Sequence, residues 1–289
     1  MIKQKPLSVE ARDNVRRTRK SRRRRGIISA IGALTMLGSV LFGGASANAA
    51  LSSSMCDFAV FVGVRGTGAP AGSNLVHNGR VWTNGGLGDQ VAPIRSALIN
   101  VPDMPFYFLS LAYPATAALS PSIEDGRLKL IAELNYINQT CPYAPIILAG
   151  HSQGAQVISK VLTGAATSPL GAPFNLTPAA KANIRAVVLY GDPFYESGKL
   201  TNYPNRPKNG LLSTIPYTQK NSLATYNYLG WPAGSNSQQT VYKVREFCNI
   251  GDFFCQSNPG DSSYAIHNSY AQFANSVAGW ITYELTDPI

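Results

Sequence analysis

Gly150-His151-Ser152-Gln153-Gly154 constrains this chain more than any other segment. The apolar run 145–149 leads into it, and 155–162, with apolar positions at helical spacing, leads out. Strand, G-x-S-x-G, helix is the context of a nucleophile elbow. The turn is so sharp that its central residue is held in a strained backbone conformation, and the flanking glycines remove side chains that would collide there. The serine hydroxyl then stands at the end of a sheet with a helix N-terminus behind it. Without the flanking periodicity the pattern would be weak, because Gly and Ser also make ordinary turns.

The rest of the chain alternates in the way such an elbow requires. Apolar runs at 57–64, 106–111, 146–149, 184–190 and 241–247 read as strands, several apolar throughout as expected of strands buried on both faces. Helical periodicity appears at 87–99. A helix start is expected at Ser122-Ile123-Glu124-Asp125, followed by the stripe Leu128, Ile131, Leu134 and Ile137. A terminal helix is expected over 266–285, with Phe273, Val277 and Trp280 on one side. The expected fold is one α/β domain, a mostly parallel five-stranded sheet covered by helices on both faces. The segment 202–240 is different: rich in Pro, Asn, Ser, Gly and Tyr, it has no period. A structureless stretch of this length is uncommon and usually functional or mobile. Its side chains Leu211, Leu212, Ile215, Tyr226, Tyr228, Leu229 and Trp231 either pack the loop onto the domain or form an apolar rim beside a groove.

The formal net charge of +10 belongs to one end of the chain. Residues 1–50 hold eleven Lys/Arg against two Asp/Glu, while the remainder is nearly balanced, which excludes a nucleic-acid reading of the basic pI. This N-terminus has the layout of an export signal. Arg16, Arg17, Arg19, Lys20 and Arg22 to Arg25 make a positive region; 27–42 is apolar, diluted by Gly32 and Gly38; Ala45-Ser46-Ala47 and Ala47-Asn48-Ala49 offer small-residue cleavage sites. The arginine run is compatible with twin-arginine export as well as the general route. The competing reading, an uncleaved anchor, is disfavoured because the apolar stretch is about 16 residues, short of the ~20 that span a bilayer. Residues 1–50 are thus expected to be removed, leaving a single catalytic domain at 51–289.

All four cysteines, Cys56, Cys141, Cys248 and Cys255, lie in the exported part. An even count in a secreted chain points to two disulfides, with three pairings open. Cys248 and Cys255 are near enough to pair locally, which leaves Cys56 with Cys141. A zinc site is the alternative for the same residues, but no second ligand pair stands at finger-like spacing.

A serine hydroxyl needs a base within hydrogen-bond reach, and the base needs an acid to orient it. Three histidines exist. His151 adjoins the serine, and elbow geometry turns it away from the hydroxyl, so it is expected to be a packed or hydrogen-bonded side chain. His77 precedes the serine in a polar loop. His267 follows it, at the expected start of the terminal helix, and the chain order serine, acid, histidine selects it. For the acid, Asp192 and Asp252 both follow strands; Asp252 lies inside Cys248–Cys255, where a disulfide would hold the carboxylate rigidly. Asp261, in Pro259-Gly260-Asp261-Ser262, reads as an ordinary turn.

Taken together, Gly150-His151-Ser152-Gln153-Gly154, Cys248-x-x-Gly251-Asp252-x-x-Cys255 and the following His267 resemble the cutinases, small secreted serine esterases of the α/β-hydrolase class. The resemblance runs from about Cys56 to Trp280. It implies a three-layer α/β sandwich, Ser152 as nucleophile, His267 as base, Asp252 as acid, and a Cys56–Cys141 bridge. It also implies an oxyanion hole from the backbone N–H of Gln153 and of Thr67, in the Arg65-Gly66-Thr67 loop after the first strand. Two departures affect specificity: Ala69-Pro70 stands where the family pattern has an acidic residue, and 202–240 is longer than in compact fungal members.

The expected activity is hydrolysis of carboxylic esters, cutin-like polyesters or short- to medium-chain acyl esters, with no cofactor and no metal. Tyr264 and Ile266, with Tyr226, Tyr228 and Trp231, are the expected walls of an acyl groove. The expected partner is an ester or lipid substrate, polymeric or not, met by a monomer in transient contact with a lipid interface. Competing readings are a lipase or phospholipase on envelope lipids, an acyltransferase, a peptidase, and a lipid-binding protein that has lost activity. Asn138 and Asn175 open Asn-x-Thr sequences that are expected to be accidental.

Overall fold

The computed structural model describes residues 53–76, 80–164, 176–213, 228–230, 239–241 and 243–286. Nine strands and five α-helices are formed there: β1 (Ala59–Val64), β2 (Ser73–Val76), β3 (Val81–Asn84), α1 (Ala92–Ile99), β4 (Phe106–Leu111), α2 (Leu119–Thr140), β5 (Ile146–His151), α3 (Gln153–Thr163), α4 (Pro178–Ala182), β6 (Ile184–Tyr190), β7 (Tyr228–Gly230), β8 (Gln239–Val241), β9 (Val244–Phe247) and α5 (Ala274–Thr286).

Seven strands form the main sheet, in the order β2-β3-β4-β1-β5-β6-β9. Five of them, β4, β1, β5, β6 and β9, are mutually parallel and coincide with the five expected from sequence. The edge strand β2 and its neighbour β3 run antiparallel and were not expected. Each has only four residues, two polar and two apolar, too few for an alternation to stand out.

Because successive side chains in a strand point to opposite faces, each central strand feeds two cores. Val60, Val62 and Val64 of β1, Ile146 and Leu148 of β5, and Val187 and Leu189 of β6 face α2 and α3. Phe61, Ile147, Ala149, Val188 and Tyr190 face α1 and α5. A bulge at Ile146/Ile147 skips Arg185 in the pairing. Cys56 joins the turn before β1 to Cys141 at the end of α2, and Cys248 joins Cys255 in the loop after β9.

Several expected boundaries move, each for a local reason. α1 begins at Ala92 and not at 87, because Gly88 has φ +72° and leaves the helical region. α2 begins at Leu119, before Ser122; the Ser122 hydroxyl is no cap, since it accepts from Thr116 N–H (3.1 Å) and donates to Gln153 Oε1 (2.8 Å). Residues 239–241 belong to β8, paired with β7 in a separate two-stranded sheet, so only 244–247 complete the main one. The terminal helix starts at Ala274, after a 3-10 turn at Tyr270–Phe273, because the backbone of 266–268 is committed to other partners.

Candidate active site

The C-terminal ends of parallel strands lie along one rim of the sheet, where ligand sites of open α/β sheets form. From β1 the chain enters Arg65-Gly66-Thr67; from β5 it enters Ser152; from β6 it reaches Asp192; from β9 it enters the disulfide loop that carries Asp252.

Ser152 sits at φ 54°, ψ −118°, a conformation that a non-glycine residue keeps only when its surroundings over-determine it. Its N–H donates to Tyr190 O of β6 (2.8 Å), and α3 starts at the next residue. Gly154 shows how tight the seat is: a Cβ there would fall 2.0 Å from Val64 O of β1.

Asp252 is fully buried and accepts four hydrogen bonds. Oδ1 takes Phe254 N–H (2.6 Å) and Cys255 N–H (2.9 Å); Oδ2 takes the Tyr270 hydroxyl (2.7 Å) and His267 Nδ1–H (2.9 Å). Burial alone would raise the carboxyl pKa; the hydrogen bonds from His267, Cys255 and Tyr270, with the charge on His267, outweigh it and hold it below the ordinary value. Burial first, and the Asp252 charge second, push the Tyr270 hydroxyl far above its usual range, so it stays a donor. With Nδ1 committed to the carboxylate, Nε2 of His267 is left as the acceptor, buried and without a hydrogen-bond partner.

Ser152 and His267 line one cavity of about 430 Å³. Thr67 and Gln153 line it too. Gln153 opens α3, where first-turn amides have no intrahelical acceptor. Its side chain ties the site together: Nε2 donates to Thr116 O (2.8 Å) and Thr67 Oγ1 (3.2 Å), and Oε1 accepts from Ser122. The Thr67 loop is pinned from below by the buried Arg65 guanidinium, which donates to Tyr113 O (2.7 Å), Ala69 O (2.9 Å) and Pro114 O (3.2 Å). The remaining walls are mostly apolar: Ala117, Leu119, Pro193, Leu211, Leu212, Phe254 and Tyr264.

The structure thus separates the acid candidates. Asp192 is buried, accepts from Ser159 Oγ (2.6 Å) and Phe194 N–H (2.9 Å), and faces α3; Asp252 meets His267. Asp261 corrects the sequence analysis: it is buried, and its carboxylate accepts Ile266 N–H and His267 N–H, both at 3.0 Å, and Phe253 N–H at 3.4 Å. Its Pro-Gly-Asp-Ser setting gave no sign of this. Nor did anything single out Tyr270, which looked like one more helix residue. Tyr264 lines the cavity, whereas Ile266 is not among the lining residues and lies near Gly251. Leu211 and Leu212 bring the first part of the long segment to the cavity, held by Leu211 N–H to Phe254 O and Leu212 N–H to Pro193 O. Tyr226, Trp231, His77, Asn175 and the N-terminal 1–50 lie outside the described residues, as does the side chain of Tyr228.

Residues 55–285 match the family described as Cutinase. The chain belongs to the cutinase family. Among curated relatives, a cutinase of Hypocrea jecorina is 34% identical over 171 residues, covering 58% of this chain and 48% of that protein. Acetylxylan esterase 2 of Talaromyces purpureogenus is 24% identical over 165 residues, covering 56% and 62%. The chain therefore spans about half to three-fifths of the length of these relatives. A solved acetylxylan esterase structure superposes with a TM-score of 0.57 at 20% identity, covering 78% of this chain and 98% of that one, which extends the shared fold across the domain.

Proposed function

We propose that this protein is a secreted carboxylic ester hydrolase working through an acyl-enzyme, with Ser152 as nucleophile, His267 as base and Asp252 as acid. One observation carries the reading: His267 is anchored to the buried Asp252 through Nδ1, its Nε2 has no hydrogen-bond partner, and the residue lines the cavity that holds the strained Ser152. Nε2 removes the proton as Ser152 Oγ attacks the ester carbonyl. Asp252 keeps the imidazole in the tautomer that can accept and stabilises the imidazolium formed. The Thr67 and Gln153 N–H groups receive the oxyanion, each donor worth roughly 10²–10³ in rate. The alcohol leaves with the proton from Nε2, and water activated by the same nitrogen then cleaves the acyl-enzyme.

The apolar walls favour an acyl chain of short to medium length, from a monomeric ester or a polyester. Leu119, Leu211 and Tyr264 are each about two-fifths exposed at the rim, which supports transient contact with a lipid or polymer surface by a monomer. Export with removal of residues 1–50 is supported by the N-terminal pattern and by two disulfides in the remaining domain. No helix among the described residues is long and apolar enough to cross a membrane.

Hydrolysis of p-nitrophenyl esters of two to sixteen carbons by the wild type and Ser152→Ala tests this. The expected outcome is a maximum at short or middle chains and a loss of about 10⁴ or more in kcat/KM for the variant. A maximum at the longest chains would move the assignment to envelope lipids; activity surviving in Ser152→Ala would overturn it.

A further inference from the structure

The proposed base lies on neither a helix nor a strand, yet both polar groups of its backbone are taken by side chains. Its N–H donates to Asp261 Oδ2 (3.0 Å), and its carbonyl accepts from His151 Nε2 (2.9 Å). His151 is the last residue of β5, directly before Ser152, so it shares the rigidity of the sheet centre. Its ring lies 4.7 Å from that of His267 and 5.8 Å from that of Tyr270. It also packs against the Thr67 loop: a Cβ on Gly66 would fall 2.8 Å from His151 Nδ1. One imidazole thus adjoins the serine through the chain, the base through a hydrogen bond and the oxyanion loop through packing.

We propose that His151 is a positioning residue, a wedge that sets the base relative to Ser152 and the Thr67 loop and takes no part in proton transfer. This rests on the reading of Ser152, His267 and Asp252 given above. A carbonyl can only accept, so Nε2 of His151 carries a proton. Burial first, and the neighbouring His267 second, push its pKa down to about 3, so the ring stays neutral wherever the enzyme would work. Its one proton is committed to the carbonyl of His267, and its bare nitrogen lies against Gly66, so it does not compete as a base. Position is what it supplies, and position matters: a displacement of about 1 Å can cost ~10² in rate.

The test compares His151→Phe, which keeps a ring and loses the donor, with His151→Gln, which restores an N–H at similar reach, beside wild type and Ser152→Ala. The readouts are kcat and KM on p-nitrophenyl butyrate, thermal unfolding, and the low-field proton NMR signal of His267 Nδ1–H. For H151F we expect kcat to fall about 30–100-fold with KM within about twofold, and the low-field proton to broaden. H151Q is expected to recover about tenfold of that loss. H151F holding kcat within about threefold with the low-field proton intact, or H151Q no better than H151F, overturns the proposal. If H151F does not fold, H151Q against His151→Asn decides, since only the longer amide reaches the carbonyl: a tenfold advantage for Gln supports the wedge, equal rates remove it. Activity surviving in Ser152→Ala would instead break the underlying reading, whatever the His151 variants do.

Discussion

Ser152 is held by regular structure on every side, between the end of β5 and the start of α3, with β1 so close that Gly154 has no room for a side chain. Asp252 and His267 lie in turns between β9 and α5, held by a short disulfide, by hydrogen bonds from Tyr270, His151 and two backbone amides, and by the His267 N–H donated to Asp261. The first region is fixed by the packing that makes the fold. The second is fixed chiefly by polar contacts between turns. Damage to the elbow should therefore cost stability and activity together, whereas damage to the acid–base turns should cost activity first.

Asp252→Asn is the strongest way to press this difference. An amide in place of the carboxylate leaves the shape and removes the charge that stabilises the imidazolium; the expected loss in kcat is about 10³–10⁴. The hydrogen-bonded Asp252 carboxyl has a folded pKa below 3.8, so its ionisation stabilises the fold above that value and the contribution is lost as pH falls through the depressed one. The variant should accordingly lose part of the wild type's stability drop at strongly acid pH, which thermal unfolding from pH 2 to 7 would measure. A kcat within tenfold of wild type would remove Asp252 from the proposed triad.

Gly154→Ala addresses the other region. A Cβ 2.0 Å from a backbone carbonyl of the central strand forces α3 or β1 to shift, an overpacking cost of about 1–3 kcal/mol or more. Unfolding temperature and kcat should fall together. A variant with normal stability and no activity would mean that the elbow is no better buttressed than the acid–base turns.

The two disulfides refine the comparison. In the chain-entropy view Cys56–Cys141, with a sequence separation of 85, contributes about 4.5 kcal/mol, and Cys248–Cys255, with a separation of 7, about 2.5 kcal/mol. Replacing the first pair by serine should lower the unfolding temperature more and leave kcat nearly intact in the folded fraction. Replacing the second should lower kcat more than its smaller stability cost suggests, because Cys255 N–H is a donor to Asp252. The reverse ranking in both assays would break the distinction.

The same contrast governs what was legible in the sequence. The central strands β1, β5 and β6 stand out because burial on both faces makes them almost continuously apolar, and the elbow because its geometry demands Gly at fixed offsets. Hydrogen bonds between turns leave no such trace. Asp261 and Tyr270 reach His267 and Asp252 from 6 and 18 residues away in sequence, and neither their spacing nor their neighbours announce it. The antiparallel pair β2–β3 was invisible for a related reason: four-residue strands with two apolar positions each carry little hydrophobic signal. His151 lies between the two cases, since elbow geometry turns it from the serine while its partner, a backbone carbonyl 116 residues later, is a tertiary fact.

The smallest expected effect lies far from the site and measures the sheet's tolerance of a buried charge. Glu133 of α2 is fully buried and forms an ion pair with Arg80 at 3.5 Å. Burial raises its pKa to about 7, against a partial lowering by Arg80. A carboxyl whose folded pKa lies above its unfolded value of 4.5 binds its proton more tightly when folded, so stability falls as pH rises from about 4.5 and the cost is complete above about 7. Glu133→Gln removes the ionisation and should leave stability nearly unchanged at pH 4 and raise it by about 1–3 kcal/mol at pH 8. Urea unfolding at both values checks it, with kcat unchanged because Glu133 is not among the cavity-lining residues. A gap between variant and wild type that stays constant with pH would show that Arg80 neutralises the carboxylate fully, and that the scaffold holds a charge as readily as the acid–base turns hold theirs.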